Sequence, residues 1–120
     1  MKVRIDIDGT PLMASLVDTA PAWDFASLLP LRLTLTDYAG TEKISDLPRR
    51  LSIEGAPAGV EPTTGDLTYY APWGNLAIFH RGAGYAAGLV KLGTIESGLE
   101  ALRRPGLVEA TIALDAGRAQ

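Results

Sequence analysis

The chain has 120 residues, a formal net charge of -3 and a pI near 5.0, with 47% hydrophobic and 21% charged residues. These values fit one soluble globular domain that buries roughly two thirds of its unfolded surface, and they argue against disordered, collagen-like and coiled-coil classes. The absence of cysteine excludes disulfides, thiolate metal sites and thiol nucleophiles, while the acidic balance, with Arg49-Arg50 and Arg103-Arg104 far apart, argues against nucleic acid as a partner.

Val3, Ile5 and Ile7 alternate with Arg4, Asp6 and Asp8, the period-two pattern of a strand with one wet face. Asp8-Gly9 supplies the positive backbone angles of a tight hairpin turn, so residues 12–17 are expected to return as a second strand. The opening MKVRIDIDG lacks the apolar stretch of a signal peptide, and no segment reaches eighteen apolar residues. A cytoplasmic location and no membrane association are the expectation. Asp6 and Asp8 read as the solvated face of this hairpin rather than as metal ligands.

Asp18 or Thr19 caps a helix that tolerates Pro21 in its first turn and places Ala22, Phe25, Ala26 and Leu29 on one face. Pro30 ends it. Leu31, Leu33 and Leu35 alternate with Arg32, Thr34 and Thr36 as another half-buried strand, after which residues 37–43 read as a polar segment turning away. From 46 to 64 the prolines and glycines predict a long surface loop with one short strand at 51–53.

Residues 67–70 and 75–80 read as strands joined through Ala71-Pro72-Trp73-Gly74, and 89–95 as a further strand interrupted by Lys91 and Gly93. Gly82-Ala83-Gly84-Tyr85-Ala86-Ala87 matches a loose dinucleotide fingerprint, but Leu89-Val90-Lys91-Leu92 follows in place of a helix, so the glycines are assigned to a mobile turn. Ser97-Gly98-Leu99-Glu100 fits a capping box opening a short helix to Arg104, stopped by Pro105-Gly106. Residues 108–114 alternate as the closing strand. Six to eight strands with two short helices point to a closed antiparallel barrel or a sandwich.

His80, the only histidine, sits at a strand end and is expected at the surface or rim rather than in catalysis. The aromatics are more informative. If Tyr69 points into the core, alternation turns Tyr70 outward, where it forms with Trp73 and Tyr85 an apolar platform for a ligand. Asn75 and Lys91 are the polar groups placed to orient one.

The order of elements resembles the bacterial family of small cyclophilin-like proteins over nearly the whole chain, with TYYAPWGNLAIF at 68–79 and KLGTIESGLEAL at 91–102 as its most specific parts. The resemblance implies a mainly β fold, a closed eight-stranded antiparallel barrel with two short helices capping its ends. True peptidyl-prolyl isomerases of this fold carry an arginine in Phe-His-Arg, together with Phe-Met-x-Gln and Ser-Gln-Phe-Phe segments. Here Leu47-Pro48-Arg49-Arg50-Leu51 offers Arg49 or Arg50 in the arginine's place, no Phe-Met-x-Gln follows, and Asn75-Leu76-Ala77-Ile78-Phe79 stands where Ser-Gln-Phe-Phe would be. No catalytic residue, metal or cofactor is therefore assigned. The leading expectation is a barrel that binds a small molecule or short proline-containing peptide at Tyr70, Trp73, Asn75 and Tyr85, with Arg49, Arg50 and Lys91 nearby. An isomerase with a rebuilt site around Arg49 or Arg50, and a homodimeric interaction module hiding the aromatic patch, are the alternatives.

Overall fold

Strand β1 (Lys2–Ile7) sends Val3, Ile5 and Ile7 inward with no exposed surface, and Lys2 and Arg4 outward. The computed structural model describes residues 1–115. Asp8 and Gly9 take the predicted positive φ values of 47° and 88°, and β2 (Thr10–Leu16) returns antiparallel to β1. Thr19 caps helix α1 (Ala20–Ala26) by accepting from the amide of Ala22, while Asp18 accepts from Trp23 Nε1 at 2.6 Å. The helix ends at Ala26, one turn before the expected Leu29, and Phe25 enters the core. Leu29-Pro30 is the cis peptide bond among the described residues; Ala71-Pro72 is trans.

Strands β3 (Leu31–Tyr38) and β4 (Glu42–Asp46) pair through a tight turn in which Ala39 and Gly40 have positive φ. Residues 37–43 therefore do not turn away from the sheet: they finish one barrel strand and begin the next. The expected strand at 51–53 is absent. Leu51 is instead a buried loop residue whose amide donates to the hydroxyl of Tyr69. After β5 (Gly59–Val60) come β6 (Asp66–Tyr70), β7 (Asn75–Phe79), β8 (Ala86–Ala87), β9 (Leu89–Ser97) and β10 (Val108–Leu114). The barrel closes in the order β1-β10-β3-β4-β7-β6-β9-β2, and β5 and β8 form a separate two-stranded ribbon. Gly93, which seemed to interrupt β9, is required there, because a Cβ would fall on the carbonyl oxygen of Ser15 in β2.

One barrel end is covered by α1. The other is covered by a 3-10 turn (Leu99–Arg103), so the second helix is not α-helical, and the capping box is not formed: Ser97 ends β9 and Gly98 occupies the cap position with φ 83°. This end is held by Lys43, whose side chain has no exposed surface. Its Nζ donates to the carbonyl oxygens of Arg104 (2.7 Å) and Gly106 (2.5 Å) and pairs with Asp37 at 2.7 Å. Lys43 holds the Asp37 carboxyl below its ordinary range, with help from the amide of Gly106. Arg103 in turn donates to the carbonyl oxygen of His80.

The loop after β4 is held against α1 by Arg49, which makes two hydrogen bonds to Asp24 at 2.8 and 3.0 Å, and by the amide of Ser52 on the same carboxylate. Those donors lower the Asp24 pKa to about 2.

Lys43→Met keeps the length of the buried chain but removes the donor of two carbonyls; it is expected to lower the unfolding free energy by about 3 kcal/mol, read as a shifted urea midpoint at unchanged m. Asp24 is more acidic folded than unfolded, so its contribution is present above its unfolded pKa of 3.8 and is lost as pH falls toward about 2. Wild type is therefore expected to exceed Asp24→Asn in stability at pH 7 by up to about 1 kcal/mol, after allowance for solvent screening, and the gap should close by pH 2 to 3 in denaturation curves.

Candidate functional site

Most barrel strands have one buried and one exposed face, but β7 is buried at all five positions and β6 at four of five. Their inward residues Leu67, Tyr69, Leu76 and Ile78 join the main core. Their outward residues are covered by a second, smaller cluster, in which Ala77, Phe79 and Leu89 pack with Ile44, Val60, Tyr70 and Ala86. The β5-β8 ribbon thus lies on the outside of the barrel. Between ribbon and barrel wall is a pocket of about 230 Å³.

Tyr38, Tyr70 and Trp73 line this pocket. Trp73 meets Tyr38 with ring centroids 5.4 Å apart at an interplanar angle of 87°, and Tyr70 at 5.3 Å and 83°. Edge-to-face geometry of this kind is the favoured aromatic arrangement, and it makes two near-perpendicular corners in place of a flat platform. Trp73 keeps 53% of its surface exposed, while Tyr69 is buried in the core, so the predicted split between Tyr69 and Tyr70 is the one observed.

Asn75 and Glu42 are the polar side chains of the lining besides the aromatic rings. Asn75 is 4% exposed, and its Oδ1 has no hydrogen-bond partner among the described residues. A buried acceptor left unpaired costs about 1–3 kcal/mol, and the amide nitrogen of Asn75, also without a partner among the described residues, is the more accessible atom of the two. Glu42 lines the same pocket and accepts from the hydroxyl of Thr41 at 2.7 Å. Burial raises its carboxyl above the ordinary range, an effect partly offset by that hydroxyl.

The pocket brings together three of the residues expected from sequence, Tyr70, Trp73 and Asn75. It does not include the other four. Tyr85 is exposed with its hydroxyl near Gly59 on the ribbon, and Lys91 lies across the barrel wall, 3.5 Å from Asp66. Arg49 holds α1, and Arg50 donates to the carbonyl oxygen of Ala71 at 2.6 Å while packing against Gly74. Neither guanidinium lines the pocket. His80 is not a rim residue: it is 6% exposed, its Nδ1 has no partner among the described residues, and burial followed by Arg103, Arg81 and Lys43 lowers its pKa. The segment assigned to a mobile turn contributes β8 to the ribbon and Ala83 and Gly84 to the pocket. Tyr38 and Glu42 were missed because residues 37–43 read as a turn; the alternation of Glu42, Lys43 and Ile44 was the available signal, masked by the charge of Lys43.

The family model of the cyclophilin-like family matches residues 5–113. No curated protein is similar enough in sequence to match the chain. Among solved structures the chain is similar to the hypothetical protein AF2241 from Archaeoglobus fulgidus, at 16% identity and a TM-score of 0.71, covering 95% of this chain and 94% of that one. It is also similar to McbB, solved in complex with tryptophan, at 12% identity and a TM-score of 0.66, covering 98% of this chain and 46% of that one. At such identities these likenesses speak for the fold alone. The family match over nearly all of the chain, on a closed eight-stranded barrel, establishes that this protein belongs to the cyclophilin-like family.

Proposed function

We propose that the protein is a binding module whose ligand, a small molecule or a short peptide, enters the outer-wall pocket and hydrogen-bonds the side-chain amide of Asn75. The observation that carries this reading is that amide, without a hydrogen-bond partner among the described residues, in one lining with three aromatic rings. Apolar walls with a few convergent polar groups are the usual make-up of a small-ligand site. The rings supply area, and the amide supplies direction.

An isomerase would need a donor aimed at the amide being twisted, so that the transition state is held more tightly than either ground state. Arg49 and Arg50 are both engaged elsewhere, which favours binding over prolyl isomerisation. A homodimer burying Trp73 would occupy the same surface, and sedimentation across a concentration series separates that case from ligand binding.

The test is a fragment and peptide screen by amide chemical shift, followed by titration on a Trp23→Phe background so that Trp73 alone reports by fluorescence. Trp73→Ala is expected to weaken any ligand that shifts the pocket resonances about tenfold or more, at a stability loss of about 1–3 kcal/mol, because the half-exposed ring packs edge-to-face on two tyrosines. Asn75→Leu is expected to weaken the same ligand while leaving stability unchanged or higher, since it removes an unpaired buried acceptor. Affinities unchanged in both variants would overturn the assignment of the pocket.

A further inference from the structure

The identity of the groups in the pocket restricts its ligand further, on the footing that the pocket is a binding site at all. Among the acidic and basic side chains, the walls offer Glu42 alone. Tyr38, Tyr70 and Trp73 add π-systems with negative faces, together with hydroxyl and indole N–H donors, and Asn75 adds an amide with no hydrogen-bond partner among the described residues. The lining contains no lysine, arginine or histidine.

Glu42 is the unusual member. Its one hydrogen-bond donor among the described residues is the neutral hydroxyl of Thr41, and it takes part in none of their ion pairs. The other carboxylates that are buried or partly buried differ: Asp6 is paired with Arg4, Asp24 is matched by Arg49, and Asp66 lies 3.5 Å from Lys91. A half-buried carboxylate with no cation nearby is poorly solvated and poorly compensated, which is why its carboxyl is shifted upward. A positive ligand would supply what the protein omits.

The shape agrees with the charge. Trp73 stands at 87° to Tyr38 and 83° to Tyr70, so the rings form a corner in place of a single stacking platform. Perpendicular rings suit a compact tetrahedral cation, which touches more than one π-system at once and is attracted by each.

We propose that the pocket takes an alkylammonium group, with the charged nitrogen against the Glu42 carboxylate and the carbon substituents against Tyr38, Tyr70 and Trp73. The same chemistry is carried by a free amine and by the lysine side chain of a peptide. A free or peptide-borne anion would meet the Glu42 carboxylate with no lysine, arginine or histidine in the lining to offset it. A neutral ligand of the same shape would leave Glu42 uncompensated.

The experiment compares three probes on the full chain at neutral pH, by amide chemical-shift titration: benzylamine, Nα-acetyl-lysine methylamide, and the neutral isostere benzyl alcohol. Each is titrated into wild type, Glu42→Gln and Trp73→Ala. At least one ammonium probe is expected to bind tenfold or more tighter than benzyl alcohol, with shifts centred on residues 38, 42, 70, 73 and 75. Glu42→Gln should remove most of that preference, and Trp73→Ala should weaken ammonium binding. Tighter binding of benzylamine than of the lysine derivative points to a free amine, and the reverse order to a peptide. Benzyl alcohol binding as well as benzylamine, or a preference that survives in Glu42→Gln, would overturn the cation inference and leave the pocket standing. Silence from all three probes together with a silent general screen would remove both.

Discussion

The first strand pairs on both of its edges. β1 is hydrogen-bonded to β2 on one side and to β10 on the other, from Val3 opposite Leu114 to Ile7 opposite Ala110, and this contact between the two ends of the fold closes the ring. A closed ring has no free strand edge to satisfy. It also gives every residue of every strand one of two destinations, the sealed interior or the outer wall. The interior is filled mainly by aliphatic side chains with Phe25 and Tyr69, and Lys43 occupies one end of it. Whatever binds from solution meets the outer wall, so the residues that break the polar pattern there carry the functional information. On β6 and β7 they do, with Thr68, Ala77 and Phe79 buried under the β5-β8 ribbon and Asn75 buried at the corner.

Lys43 connects the barrel's closure to this wall. Its ammonium sits inside one barrel end, where two carbonyls of the segment between the 3-10 turn and β10 would otherwise lack donors, and Asp37 completes its surroundings. Buried charges are tolerated when paired and fully hydrogen-bonded, and three oxygen partners meet that condition. In a strand, neighbours of an inward residue point outward. Fixing Lys43 inward therefore turns Glu42 and Ile44 out, and both reach the pocket. A slip of β4 by one residue would exchange the two faces, placing Glu42 in the barrel and Lys43 on the wall. The ion cluster that closes the barrel end is thus also what gives the pocket its carboxylate.

The parts of this arrangement legible in the sequence are those governed by local rules. The Asp8-Gly9 hairpin, the Thr19 cap and the alternation of β1, β3 and β10 depend on neighbours in the chain, and each has a recognisable residue pattern. What escaped depends on tertiary contacts. β4 was hidden because Lys43 looks like a solvated residue unless its partners, more than sixty positions away, are known. The capping box at Ser97 failed because β9 continues through that residue in its pairing with Met13, which leaves Gly98 to turn the chain. His80 looked like a rim residue because the 3-10 segment that covers it comes from later in the chain, with Arg103 on its carbonyl oxygen. For the pocket, alternation separated Tyr70 from Tyr69 correctly, but nothing local reveals that Tyr38 comes to meet Trp73 or that Arg49 is held by α1.

The placement of the two arginines decides the character of the wall. Arg49 is drawn to Asp24 and Arg50 to the carbonyl oxygen of Ala71, so both cations near the loop after β4 serve to hold that loop. Had either reached the pocket, it would have paired with Glu42 or donated to Asn75, and the lining would have been electrically balanced before any ligand arrived. Instead the fold retains a carboxylate, an unpaired amide oxygen and three ring systems on one side of a partly covered cavity. Natural proteins keep such uncompensated polar groups mainly where something else completes them, because each lowers stability while it stands alone. In this barrel both arginines hold the loop in place, and the carboxylate of Glu42 is left without an ion-pair partner among the described residues.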